Sequence, residues 1–91
     1  PLARGLLARP RPADSRLAGA GTARAASDAY AEHLYDDPSD WAVVDAVEGV
    51  ARARGVEMAE VALAWLLARP GVVAPIVGAT KPHHLEVALR A

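Results

Sequence analysis

The chain has 91 residues, and its ten lysines and arginines nearly balance eleven aspartates and glutamates, leaving a net charge of −1 that argues against a general nucleic-acid binder. It is 53% hydrophobic but only 4% aromatic, so its core is built mainly from Ala, Val and Leu. The absence of cysteine excludes disulfides and thiolate metal sites and makes a reducing cytoplasm the default compartment. No apolar run approaches the roughly 18 residues of a membrane span, so no membrane partner is expected.

The chain starts at Pro1 rather than Met and reads as a piece of something longer. Leu6-Leu7-Ala8, set between arginines, is too short for a secretory signal. Residues 1–26 carry Arg4, Arg9, Arg11, Arg16 and Arg24 against Asp14 alone. That basic start is either a solvated loop or a loop that closes over an anionic ligand, and composition leaves both open. Residues 8–26 contain two prolines, two glycines and no apolar period, which predicts one long loop.

Ser27 is placed to cap a short helix over 28–35, with Tyr30 and Leu34 four apart on one face. Asp37-Pro38-Ser39-Asp40 is a helix start: an N-cap, a proline at the first helical position, and a carboxylate near the free N–H groups. Val43, Val44, Val47, Val50 and Ala51 then form a single helical stripe, Glu48 and Arg52 make an i,i+4 pair, and Gly55 supplies the stop. A second helix is expected from about Met58 to Arg69; it is apolar nearly all round, which predicts burial on every side with Trp65 in the core. Pro70-Gly71 ends it. Val72 to Val77 is continuous and β-branched, as in a parallel strand covered on both faces, although Pro75 removes a ladder donor. Gly78 to Lys81 turns the chain, and Pro82 to Arg90 closes it as a short helix. One strand makes no sheet, so the chain needs neighbours to cover it.

Two stretches, Ala62-Leu63-Ala64-Trp65-Leu66-Leu67 and Pro75-Ile76-Val77-Gly78-Ala79-Thr80-Lys81, together resemble the carboxyl-terminal part of the aldo-keto reductases. Pro1-Leu2-Ala3-Arg4-Gly5 resembles the family's S-P-L-x-x-G motif, and Thr22-Ala23-Arg24 resembles an arginine-bearing loop after it. The resemblance implies an α/β fold, the C-terminal segment of a (β/α)8 TIM barrel, mostly helical with one clear parallel strand. Residues 1–26 would form a cofactor-side loop, and 27–91 the last helices and the eighth strand.

The same resemblance implies NADPH-dependent reduction of an aldehyde or ketone to an alcohol, a small-molecule carbonyl substrate, and a catalytic tetrad that lies elsewhere. Leu2, Ala3, Arg4 and Gly5 match positions at the cofactor pyrophosphate. Arg24 matches a cation at the adenosine end, and Gly78, Thr80 and Lys81 match the loop at the adenosine phosphate. The family commonly has a Gln and, four residues on, an Asn against adenine; His84 and Ala88 stand at those places, and only His84 retains a polar side chain there.

No residue of this chain is assigned to catalysis. His83 and His84 point about 100° apart on a helix and cannot share a metal. His33 and His83 read as surface imidazoles, and Tyr30 and Tyr35 as packing residues. Two other readings compete. One is a non-catalytic, cofactor-binding relative of the channel-subunit kind. The other is a helix-turn-helix over 39–54, Gly55 and 58–69, against which Ala62 to Ala68 offers no polar recognition face.

Overall fold

A computed structural model describes residues 1–11, 34–35 and 37–91. The elements are an opening 3-10 segment Ala3–Ala8, then helices α1 (Pro38–Arg54), α2 (Met58–Leu67) and α3 (Pro82–Arg90). The expected helix over 28–35 lies largely outside the described residues.

Local chemistry sets the helix ends. Asp37 Oδ1 accepts the Ser39 N–H at 2.8 Å and its hydroxyl at 2.6 Å, with Pro38 in the first turn of α1. At the other end Gly55 is left-handed, with φ 66°, and Val56 N–H closes onto Ala51 O at 3.1 Å. Glu48 and Arg52 pair on the α1 surface as expected. Helix α2 starts with Glu60 Oε2 accepting the Glu57 N–H at 3.0 Å, the reaching-back half of a capping box. It ends at Leu67, two residues short of the expected limit, and Gly71 takes a positive φ of 84° just beyond it.

Leu6, Val44, Ala51 and Met58 form the core cluster, with Ala3, Leu7, Tyr35, Trp41, Val47 and Val61 packed around it. Tyr35 is thus a packing residue. Helix α2 touches each of the other three elements: α1, α3 and the opening segment. Its Ala59, Ala62 and Leu63 are buried, and α3 contributes the buried Val87. From α1 only part of the valine stripe reaches the core, since Val43 and Val50 are exposed.

Two expectations need correction. Residues 72–79 form no strand, and no strand occurs among the described residues, so the α/β segment with one parallel strand is here an arrangement of helices. The reason is that a parallel strand takes its backbone bonds from flanking strands. None is formed among these residues, and Val73 and Ile76 are 95% and 91% exposed. Helix α2 is likewise covered on one side only. Trp65, expected in the core, is 60% exposed, and Arg69 lies over its ring at 4.4 Å.

Candidate functional site

The opening segment carries an unusual backbone. Ala3, Arg4 and Gly5 all have positive φ, at 48°, 57° and 100°. Each non-glycine residue held there costs about 1–2 kcal/mol, and such strain persists only where surrounding structure enforces it. Here Leu2 O accepts the N–H groups of Gly5 at 3.0 Å and Leu7 at 3.2 Å, and the buried Leu6 seats the turn on α1 and α2. Successive residues in turn conformations gather backbone N–H groups into concavities that suit anions. A Cβ built on Gly5 would meet no atom within 4 Å, so the backbone is open to approach.

The second cluster surrounds the start of α3. Lys81 is the extended residue before the helix, Pro82 occupies the first turn, and His84 N–H closes onto Lys81 O at 3.0 Å. Thr80 Oγ1 and His84 Nδ1 lie 3.3 Å apart. Gly78, Thr80, Lys81 and His84 are all exposed, and a Cβ on Gly78 would also meet open space. The structure thus brings Thr80 and His84 together with Lys81 beside them. The Leu2–Gly5 turn belongs to a separate element, which like α3 packs on α2. Arg24 and His33 lie outside the described residues.

A third cluster was not foreseen. Arg90 Nε donates to Glu60 Oε1 at 3.2 Å, and Arg90 Nη2 lies 3.4 Å from both Glu60 Oε2 and Glu57 Oε1. His83, expected as a free surface imidazole, has Nε2 at 2.9 Å from Glu57 Oε1. Glu60 is only 8% exposed, on the same helix as the buried Ala59, Ala62 and Leu63. The available signal was the Glu57-x-x-Glu60 spacing at a helix start, with an acid in an otherwise apolar run.

The Glu57 N–H and then Arg90 hold the Glu60 carboxyl below the ordinary value of 4.5, against burial, which raises it. Ser39 does the same for Asp37, whose ordinary value is 3.8. Both groups bind protons more readily when unfolded, so their stabilisation is present above the ordinary carboxylate values. It is lost as pH falls through the lowered, folded-state values. Denaturation midpoints of the full protein should therefore drop on acidification below about pH 4.5, and Glu60→Gln should flatten that drop. A midpoint that rises toward acid would contradict both assignments.

Among the described residues no three His, Cys, Asp or Glu side chains are grouped to hold a metal. No helix among them is long and apolar enough to cross a membrane.

Comparison with known sequences returns a family model, the aldo/keto reductase family, matching residues 1–91. A versiconal hemiacetal acetate reductase from Aspergillus parasiticus is 38% identical over 92 residues, covering 98% of this chain. The chain spans 25% of that relative's length. No solved structure matches.

Proposed function

The chain belongs to the aldo/keto reductase family, and on that premise we propose that it supplies the phosphate-binding part of an NADPH site in an oxidoreductase that reduces small carbonyl compounds. NADPH, when bound, supplies the hydride. The residues of this chain bind and orient; the groups that handle the substrate's proton belong to the rest of the protein.

The observation that carries this reading is the run of left-handed residues Ala3, Arg4 and Gly5, a strained backbone fixed by a buried anchor at the position the family resemblance gives to the pyrophosphate. The donor set fits the group. The open backbone at Gly5 suits close approach of phosphate oxygens, and the exposed Lys81, Thr80 and His84 offer a cation, a hydroxyl and an imidazole. A cation is the feature that separates a 2′-phosphate from a hydroxyl, which makes Lys81 the residue for that distinction. Arg24 extends the proposal to the adenosine end.

The test is Lys81→Ala in the full-length protein, read by equilibrium titration with NADPH and with NADH. NADPH affinity should fall about tenfold, equivalent to about 1.4 kcal/mol, with NADH nearly unchanged. Equal losses for the two cofactors would remove Lys81 from 2′-phosphate recognition.

A further inference from the structure

We propose that the Glu57, Glu60, His83 and Arg90 cluster sets the rotation of α3 about its own axis, and thereby holds Thr80 and His84 toward the cofactor's phosphate end. Glu60 and Arg90 are then positioning residues for cofactor binding. This rests on the cofactor reading given above and goes beyond it, because none of the four is a proposed ligand in this role.

The geometry follows from helical spacing. His83, Val87 and Arg90 stand at i, i+4 and i+7, which places them on one stripe of α3, with its ends about 10 Å apart along the axis. All three are engaged: Val87 is buried, His83 meets Glu57, and Arg90 meets both Glu57 and Glu60. Both ends of the stripe are tied to the first turn of one neighbouring helix and its cap residue.

His84 lies one step round the helix, about 100° from His83. It is exposed and touches Thr80 instead. The two adjacent histidines therefore occupy different faces, and the rotation of α3 decides which of them stands beside Thr80. Apolar contact at Val87 alone is non-directional and tolerates a swivel. Directional hydrogen bonds from Arg90 at one end, with the 2.9 Å His83–Glu57 contact at the other, do not.

Glu60 supports this role by its setting. Oε1 accepts from Arg90, and Oε2 accepts from both the Glu57 N–H and Arg90. A carboxylate removed from water recovers its lost hydration only through such complete pairing, and apolar packing of similar volume often stabilises as well. Specifying one arrangement over another is the best-attested use of such a buried charged group.

The experiment compares Arg90→Ala and Arg90→Lys with the parent in the full-length protein, well below the melting temperature of each. Equilibrium titration reads NADPH affinity; steady-state kinetics at saturating NADPH read kcat and the carbonyl KM. Arg90→Ala should weaken NADPH about tenfold, with Arg90→Lys intermediate, as for a displaced binding group. At saturating NADPH, kcat and carbonyl KM should stay within about twofold of the parent. Unchanged NADPH affinity in a folded Arg90→Ala protein overturns the proposal and leaves the cluster a stability element. If Arg90→Ala does not fold, Arg90→Lys is read the same way. Should Lys81→Ala weaken NADPH while the Arg90 variants do not, only the positioning role fails. Should Lys81→Ala and Gly5→Val both leave NADPH affinity unchanged, the cofactor reading beneath it fails.

Discussion

Leu6→Ala should destabilise the protein by about 3 kcal/mol in urea denaturation, the largest stability effect expected of a single substitution here. Leu6 is 4% exposed and packs with Val44, Ala51 and Met58. Truncation removes its transfer energy and leaves a cavity that stiff helices on two sides fill poorly. The larger interest is in what Leu6 holds. It is the one buried residue of the opening segment, with Ala3 and Leu7 only partly buried beside it. A backbone with two strained non-glycine residues keeps its shape only while packing enforces it. Loss of Leu6 should therefore relax the Ala3–Gly5 turn and weaken NADPH binding even where most molecules remain folded. A loss below about 1 kcal/mol would mean that the segment is not anchored there.

Gly5→Val should cost about 2 kcal/mol, and for a different reason. Nothing stands within 4 Å of a Cβ at this position, so no steric clash with the rest of the fold is involved. The penalty comes from φ 100°, which a β-branched residue takes only under strain. The chain can escape that strain by giving up the bond from Gly5 N–H to Leu2 O, and with it the turn. NADPH affinity should then fall more than the stability change alone explains. Gly5→Ala should fall between the parent and Gly5→Val in both measurements. A Gly5→Val protein with parental stability and parental NADPH affinity would show that the left-handed run matters to neither.

Local signals were legible in the chain, and signals that depend on distant chain were not. The Asp37 cap, the Gly55 stop and the limits of α3 follow from side chains within a few residues, and each was readable. The family resemblance was also readable, because Ala62–Leu67 and Pro75–Lys81 are specific together, and the family match over residues 1–91 agrees with it. Burial was the weak point. Val72 to Val77 has strand composition, but strand formation is decided by partner strands, and none forms among these residues. Trp65 sits in an apolar helix, yet apolarity on all sides states what could be covered rather than what is. The left-handed residues Ala3 and Arg4 left no sequence mark, since only Gly5 advertises such a backbone. The Glu57-x-x-Glu60 spacing marked one half of the third cluster, but its partner Arg90 stands 30 positions from Glu60, beyond the reach of local spacing.

The uncovered segment 72–79 gives Pro75 a meaning beyond its missing ladder donor. Val72, Val73, Ile76 and Val77 make a short, uncharged, β-prone window, the composition that recruits like segments into cross-β assemblies. Val73 and Ile76 face water in this chain, which spans 25% of its relative's length, so the window is uncovered wherever the rest of the protein is not packed on it. Pro75 sits at its centre and presents no N–H to an incoming chain. A proline inside such a window is the kind of residue that weakens like-with-like pairing of an uncovered segment.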